Sequence, residues 1–426
     1  MKANTLLRSL LLFAGAALAV PKPLQIWVSS QADLKYYEKM IGVYKQKIDT
    51  GFHAEVKAFG FMEMPDKLAI AIKSGINPPD IVQFDEIFFS LYLKGNIPFV
   101  DLTDRLAKSP LGTGILKQRM GLFTWKDRIY GVPQSVSSVV LWYRDDIFKE
   151  LGIMPKDLET WDKFDAVGMK VKTATRGMIA LDWSYVGILL RQRGYDFYGA
   201  DGKPFPDSAI IAQTWQRVAD WSKNGIGLLP DRSSIFEPEF FNSYVANNGV
   251  LSVMGPDWYG LDMIQNFDQA HKGKWRAMAL PTWTDSLSHG NKKTSSFSGQ
   301  GLVIFKKSRK VENCWKFVEW VNSDIDANVD RFIGGNCFPP YQPAWSDMRL
   351  SQPFAYFGNQ NLGQLFAELA PTAPFTAQSP LNAVIVNFMR EQYFGAVIHN
   401  SSTPEQALGG IKEQINLMMG GKKKKP

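Results

Sequence analysis

The sequence predicts an α/β protein with two domains, and three observations support this class. The chain has 426 residues, more than one hydrophobic core usually organises. Its hydrophobic content of 45% and its charged content of 21% are ordinary for a folded globular protein. Short apolar runs alternate with amphipathic segments, which is typical of sheets joined by helices.

The chain begins with a segment that we interpret as a secretory signal peptide. Lys2 and Arg8 are basic, residues 10–18 are apolar, and residues 17–19 match an A-x-A cleavage pattern. The apolar run is too short for a permanent membrane span. We expect residues 1–19 to be removed on export to the periplasm, and no lipid-anchoring cysteine follows.

Strands and helices alternate in the first hundred residues. The predicted segments are a strand at 24–28, a helix beginning near Ala32, a strand at 53–59, a helix at 65–73 and a strand at 81–84. Gly75 stops the second helix, and Asp85 lies at the C-terminal end of the third strand. This rapid alternation predicts a parallel sheet.

The second half of the chain shows the same alternation of predicted strands and helices. The predicted segments are a helix capped by Thr160, a helix at 207–223 ended by Gly225, a strand at 249–254, a helix at 311–321 and a helix opened by the capping box at 403–406. Four helical tryptophans are expected to pack in the core or on its surface: Trp215, Trp221, Trp315 and Trp320. Residues 332–345, rich in Gly, Pro and aromatics, predict a connector or binding loop.

The net charge of +7 lies mainly at the two ends of the chain. Lys2 and Arg8 belong to the signal peptide, and Lys422–Lys425 belong to a basic tail at 421–426. The chain between these two ends is therefore nearly neutral. It lacks the excess of positive charge that binds the phosphate backbone of a nucleic acid. Nucleic acid is not an expected partner.

Cysteines and histidines are few. Cys314 and Cys337 could pair in an exported protein, and the sequence leaves that question open. Together with four scattered histidines they match no zinc pattern, so neither a metal nor a cofactor is expected.

Short catalytic motifs are also missing. The sequence contains no phosphate-binding glycine loop, no H-E-x-x-H and no G-x-S-x-G. We therefore expect a protein that is not an enzyme. A pair of glycosidase carboxylates stays open, because that pair has no short-range spacing rule.

Aromatic residues beside polar ones stand in several predicted loops, and the stretch MGPDWYG at 254–260 is one of them. A pyranose presents a flat face of C–H bonds to a ring and a rim of hydroxyls to a carboxylate. Asp85 and the pair Asp257 and Trp258 follow strand ends, where open α/β sheets bind ligands. Each residue also has a plainer interpretation, since Trp258 fits a core and Asp85 fits a helix cap.

An ordered series of segments resembles the carbohydrate-binding family of ABC-importer solute-binding proteins that includes maltose-binding protein. The segments are KLAIAIKSGINPPDIVQFD at 67–85, YGVP at 130–133, LWYRDDIFKELGI at 141–153 with TWD at 160–162, residues 247–258, SGQG at 298–301 with the helix at 311–321, and TPEQAL at 403–408. The resemblance covers nearly the whole chain after the signal peptide.

This resemblance implies a two-lobed periplasmic-binding-protein fold with crossing hinge segments and a C-terminal helical section. Lobe one would comprise 21–134 and 301–348, and lobe two would comprise 135–300 and 349–420. The hinge segments would lie near 133–135, 298–300 and 345–350. Small residues there suit a hinge that absorbs backbone rotation.

The resemblance also implies which residues line the cleft between the lobes. Nine ligand-binding residues are expected: Gln31, Asp85, Trp183, Tyr185, Asp257, Trp258, Ser298, Gly299 and Gln300. The implied function is capture of a sugar or oligosaccharide by a monomer that closes on it and delivers it to a membrane permease.

Two other classes stay open at this point. A secreted glycan-active enzyme would also use aromatics and carboxylates. A non-sugar or anionic solute, such as a uronate, glycerol phosphate, phosphodiester or polyamine, is the second alternative. An anionic solute such as a uronate becomes plausible if two of Arg144, Arg176, Arg191 and Arg193 reach the cleft. The sugar, its length and the permease are not encoded in any pattern of the chain.

Overall fold

The structure is a computed structural model that describes residues 22–199, 202–230, 234–288 and 292–420. The expected signal peptide and basic tail lie outside the described residues. The strands are β1 Leu24–Val28, β2 Ala54–Ala58, β3 Ile81–Asp85, β4 Thr124–Trp125, β5 Arg128–Ile129, β6 Gly131–Pro133, β7 Val139–Arg144, β8 Gly177–Ala180, β9 Gly227–Leu228, β10 Val250–Pro256, β11 Trp275–Met278 and β12 Gln300–Ile304.

The α-helices of the described residues are α1 Gln31–Lys47, α2 Met64–Ser74, α3 Glu86–Phe89, α4 Thr103–Leu106, α5 Pro110–Gly114, α6 Lys117–Met120, α7 Asp145–Glu150, α8 Trp161–Val171, α9 Ser184–Gln192, α10 Ser208–Lys223, α11 Pro238–Phe240, α12 Gln265–Phe267, α13 Val311–Ser323, α14 Ile325–Ile333, α15 Leu362–Leu369, α16 Asn382–Phe388, α17 Phe394–Ile398 and α18 Pro404–Gly420. Three π-helical turns occur at Phe241–Val245, Tyr259–Ile264 and Met389–Tyr393. Such turns recur at functional sites.

Two five-stranded sheets organise the fold. The first sheet has the order β2-β1-β3-β12-β6, and the second has the order β11-β7-β10-β8-β9. The first and last of the described strands, β1 and β12, both belong to the first sheet, while β7 to β11 form the second, so the chain passes from one sheet to the other and back. The strands fall inside the expected lobes, apart from Gln300, which already belongs to β12 of the first sheet. The lobe boundaries themselves stay a prediction.

The expectation of parallel sheets is correct only in part. β1 runs parallel to β2 and β3, and β8 runs parallel to β9 and β10. β12 is antiparallel to β3 and β6, and β7 is antiparallel to β10 and β11. We call the part of the chain built on each sheet a half, and the two segments that lead into β7 and β12 from the other sheet the crossing segments. Neither crossing segment contains a helix among its described residues. β7 and β12 are therefore not bound by the helical connection that parallel neighbours need.

Local signals in the sequence set the helix ends that were predicted from them. The Ser30 hydroxyl accepts a hydrogen bond from the backbone N–H of Asp33 (3.0 Å) at the start of α1. Gly75 ends α2 with a φ of 68°, in the left-handed region that glycine tolerates. The capping box of α18 is confirmed, since the Gln406 side chain accepts from the N–H of Thr403 and the Thr403 hydroxyl accepts from that of Gln406.

Aromatic packing on the helices also agrees with the sequence. Trp215, Trp221 and Trp315 are buried, and Trp320 is half-buried against Tyr44, with ring centroids 5.1 Å apart. The predicted loop at 332–345 is wrong at its start, because α14 continues to Ile333 before the chain becomes irregular. The helix extends this far because its apolar residues pack in the core, and it ends only at the following glycines.

Both cysteines are buried free thiols. Cys314 and Cys337 do not pair, which answers the question that the sequence left open. Within the described ranges, no three His, Cys, Asp or Glu side chains gather where they could hold a metal ion. No helix in that same part of the chain has both the length and the apolar character needed to span a bilayer.

A segment near the C-terminus, residues 375–383, bridges the two halves, and we call it the C-terminal strap. The Gln378 side chain donates to the Glu86 carboxylate (3.0 Å), just beyond the first sheet. The Tyr198 hydroxyl of the second half donates to the carbonyl oxygen of Ala377 (2.8 Å). The expected assignment of residues 349–420 to lobe two therefore does not describe the strap fully.

Candidate functional site

Four aromatic rings form a continuous group, which we call the aromatic face: Trp183, Phe236, Trp258 and Phe297. The ring centroids of Phe236 and Phe297 lie 6.1 Å apart at 17°, and those of Trp258 and Phe236 lie 6.1 Å apart at 30°. Trp183 meets Phe297 edge to face at 5.9 Å. Phe297 is nearly covered, whereas the other three rings are half-buried. Large rings left partly in water favour a partner with a flat apolar surface.

Strand order explains why these rings meet. β8 and β10 are parallel neighbours, so their C-terminal ends reach the same edge of the second sheet. Trp183 follows β8, Trp258 follows β10, and Phe236 comes from the loop after β9. The sequence analysis missed Phe236 as a site residue. β9 has only two residues, which leaves no periodic pattern to mark the loop that follows it.

The backbone around Trp258 is fixed by its neighbours. The Asp257 carboxylate accepts hydrogen bonds from the backbone N–H groups of Trp258 (2.9 Å) and Phe338 (2.9 Å). A Cβ on Gly260 would lie 2.1 Å from the Trp142 ring, so this turn of the π-helix has room only for glycine. These contacts hold the indole at the edge of the sheet.

Two of the residues expected to contact a ligand are buried. Asp257 is fully buried, and its carboxylate holds backbone groups. Tyr185 is also fully buried, and its hydroxyl accepts a hydrogen bond from the N–H of Met254 (3.0 Å). Both side chains therefore hold backbone groups of the strand end and the loop that carries Trp258. Both side chains lie on the side of their loop that the rest of the protein covers. The sequence alone does not show which side of a loop is covered and which is open.

Asp85 lies at the end of β3 in the first sheet. Its carboxylate accepts from the N–H of Ile87 (2.9 Å), which caps α3, and from the hydroxyl of Ser298 in a crossing segment. The backbone carbonyl oxygen of Gly299 accepts from the N–H of Glu86 (3.1 Å). The capping interpretation of Asp85 is correct, and its second oxygen also ties β3 to the segment that carries Phe297.

Polar side chains continue along this edge of the first sheet. The Gln300 amide donates to the Ser29 hydroxyl (2.7 Å), and the Ser29 N–H donates to the Gln83 side chain (3.1 Å). Gln31 is exposed at the first turn of α1. Since Phe297 and Ser298 are consecutive, the aromatic face and this polar edge meet at the crossing segment.

Buried charges lie directly behind these groups. Burial raises the pKa of Asp257 and of Glu86 to about 7, and the Asp85 charge adds to the effect on Glu86. Burial also raises the pKa of Asp85, against its bond from Ser298. Arg119 is buried among them, and burial lowers the pKa of its guanidinium to about 10.

The four arginines considered for an anionic solute have partners within the protein. Arg144 pairs with Asp146 (2.8 Å), Arg191 with Asp196 (3.1 Å) and Arg193 with Asp285 (3.3 Å). Arg176 donates to the carbonyl oxygen of Val171 (3.3 Å). Arg191 also donates to the carbonyl oxygen of Ser296 (3.5 Å), beside Phe297. Among the described contacts, none of the four side chains bonds a residue of the aromatic face itself.

Comparison with known proteins adds a family assignment. A family model described as bacterial extracellular solute-binding protein matches residues 29–327, more than half of the chain. An arabinooligosaccharide-binding protein of Bacillus subtilis is 23% identical over 401 residues, covering 90% of this chain and 90% of the relative. A lactose-binding protein of Rhizobium radiobacter is 24% identical over 349 residues, covering 76% of each.

Solved structures share the fold. The ABC substrate-binding protein Lmo0181 of Listeria monocytogenes, in complex with cycloalternan, superposes with a TM-score of 0.76 at 19% identity and covers 93% of this chain and 99% of its own. Maltose-bound MalE3 of T. maritima gives 0.73 at 18%, covering 93% and 99%.

Proposed function

This chain belongs to the bacterial extracellular solute-binding protein family, and on that premise we propose that it captures a neutral sugar or oligosaccharide for an ABC importer. The two halves built on the two sheets close on the solute, exclude water, and present it to a membrane permease outside the cytoplasm. No bond of the solute changes. The protein acts as a monomer.

The observation that carries the proposal is the half-buried aromatic face at the strand ends of the second sheet. A pyranose can place its C–H surface against Trp258 and Trp183, while hydroxyls meet polar groups of the crossing segment and the first sheet. The sugars named for the relatives of this chain support the same class of ligand.

The residues proposed to contact the solute are a subset of those expected from the sequence. Trp258 and Trp183 supply the stacking surface. Ser298, Gly299 and Gln300 supply backbone and side-chain polar groups at the crossing segment. Gln31 reaches the solute from the first turn of α1, and Asp85 orients the Ser298 hydroxyl.

The test is native mass spectrometry of freshly purified protein, followed by thermal shift against a panel of oligosaccharides. We expect a bound mass that fits a sugar or oligosaccharide, or a raised melting temperature with at least one glycan, because a ligand that binds only the folded state stabilises it. No shift with any glycan, together with a shift for another small solute, would contradict the proposal.

The two alternatives predict different outcomes. A secreted glycan-active enzyme would convert the bound glycan, so chromatography of the incubated mixture separates it from a binding protein. An anionic solute such as a uronate would bind more tightly than its neutral counterpart. The pairing of Arg144, Arg191 and Arg193 with carboxylates favours the neutral sugar.

A further inference from the structure

One buried side chain contacts both segments in which the chain crosses between the sheets. Arg119 lies on α6 and is 1% exposed. Its Nε donates to the carbonyl oxygen of Ser135 (3.0 Å), between β6 and β7. Its Nη2 donates to the carbonyl oxygen of Ser298 (2.9 Å), just before β12. A single guanidinium of the first half therefore joins the connection between β6 and β7 to the connection that leads into β12.

The crossing segment is shaped around this guanidinium. Ser298 adopts a φ of 57°, in the left-handed region that is unusual for a residue with a side chain. A Cβ at Gly299 would lie 2.0 Å from Arg119 Nη2. The glycine is thus required by the arginine, and a larger residue would displace it.

A carboxylate of the second half is linked to the first crossing segment through Phe338. The Asp257 carboxylate accepts from the N–H of Phe338 (2.9 Å), whose carbonyl oxygen accepts from the N–H of Val136 (3.0 Å) between β6 and β7. The same Asp257 carboxylate bonds the N–H groups of Trp258 and Phe338. It is therefore attached both to the backbone of a ring of the aromatic face and to the later part of the chain.

We propose that Arg119 and Asp257 are positioning residues that set the hinge between the two halves and couple it to the loop carrying Trp258. The guanidinium holds the two crossing segments at a fixed separation, and Asp257 links them to the ligand loop. A solute that shifts the Trp258 loop therefore changes the balance between open and closed arrangements. Only this last step rests on the proposed function; the hinge role concerns the protein without solute.

The hinge role is testable by pulsed electron resonance on spin labels at Lys73→Cys and Lys223→Cys, both exposed and one on each half. The native thiols are buried and stay unlabelled. Two variants perturb the contact by different routes: Arg119→Gln removes the charge, and Gly299→Ala pushes the guanidinium away. We expect both to broaden or shift the distance distribution of the solute-free protein. Arg144→Met, which removes an equally buried guanidinium inside the second half, is the matched control.

Each result decides one point. If Arg119→Gln and Gly299→Ala remain folded by circular dichroism and keep the wild-type distribution, the hinge role is wrong. If either variant does not fold, Asp257→Asn and Arg119→Lys are measured in the same way. The lysine is expected to restore part of the wild-type distribution because it keeps the charge and one carbonyl contact. A change equal to that of Arg144→Met would also reject the hinge role.

The coupling is measured separately with whichever sugar stabilises the wild type. We expect Arg119→Gln to raise the dissociation constant of that sugar at least about fivefold, the lower end of typical coupling between sites. Arg119 itself would not contact the sugar. If no sugar binds the wild type, the proposed function fails. The distances between the spin labels in the solute-free protein then still test the hinge role. If sugar binds wild type and variant equally, the hinge role stands alone and the coupling is rejected.

Discussion

At the residue scale, the ligand residues expected from the sequence differ in exposure. Trp258 and Trp183 follow strand ends and remain partly exposed. Tyr185 and Asp257 stand beside them in the sequence yet are fully buried. Arg119 was not predicted, because its partners are carbonyl oxygens 16 and 179 residues away. Contacts with a distant backbone leave no local pattern.

Removing the indole of Trp258 tests the aromatic face. We expect Trp258→Ala to weaken sugar binding by about 1–3 kcal/mol, the range for a stacked ring, in isothermal titration calorimetry. Trp320→Ala is the control, since Trp320 is equally half-buried but packs on the first half against Tyr44. Loss of folding in Trp258→Ala, or equal weakening by Trp320→Ala, would return Trp258 to a purely structural role.

The buried carboxyls predict a pH dependence of stability. Glu86 and Asp257 have pKa values raised to about 7, from 4.5 and 3.8. Between those values the folded state holds protons that the unfolded chain has released, so the free energy of unfolding falls as pH rises. We expect the melting temperature to fall from about pH 5 to about pH 8, and to fall less in the variant with Glu86→Gln and Asp257→Asn.

The control for that pH effect is Asp347→Asn. Asp347 has its pKa lowered to about 2, mainly by its bond from Arg349, so it stays ionised throughout the window. Its substitution should leave the slope of melting temperature against pH unchanged. A wild-type melting temperature that rises over the same window would contradict the assignment of proton uptake to the buried carboxyls.

At the element scale, periodic and capped segments were predictable and short strands were not. β1, β3, β10, α8, α10 and α13 carry apolar runs or caps that mark them in the sequence. β6 and β9 have only three and two residues, and β12, although as long as β1 and β3, enters its sheet antiparallel through a crossing segment. Their pairing depends on strands far away in the chain, so local propensity could not reveal it.

The π-helical turn at Tyr259–Ile264 gives a prediction at this scale. Gly260→Ala would place a methyl group 2.1 Å from the Trp142 ring. We expect a loss of about 1–3 kcal/mol in urea unfolding, the usual effect of overpacking. Gly395→Ala, in α17 with no neighbour within 4 Å, should instead be neutral or stabilise by up to about 1 kcal/mol. Equal effects of the two substitutions would contradict the packing argument.

At the scale of the whole molecule, the resemblance predicted the two-lobed architecture, and the family match together with the solved relatives supports it. What it did not predict is the C-terminal strap, through which Gln378 bonds Glu86 of the first half. A segment assigned to one half can still bridge both halves. The assignment uses only the position of a residue in the chain, whereas a side chain such as that of Gln378 can bond the other half.

Closure gives a prediction for the intact protein. We expect saturating sugar to reduce the radius of gyration in small-angle X-ray scattering, because the two halves approach on binding. Trp258→Ala at the same sugar concentration should show a smaller reduction, in proportion to its lower occupancy. A bound sugar with no change in the scattering curve would show that the halves do not move.

The order of strands in the first sheet has a consequence for how the chain is made. β12 stands between β3 and β6, and β6 pairs with the sheet only through β12 among the described strands. A nascent chain cannot complete this sheet until residue 304 has left the ribosome. During synthesis the first sheet thus stays incomplete, while the contiguous second sheet already has all its strands.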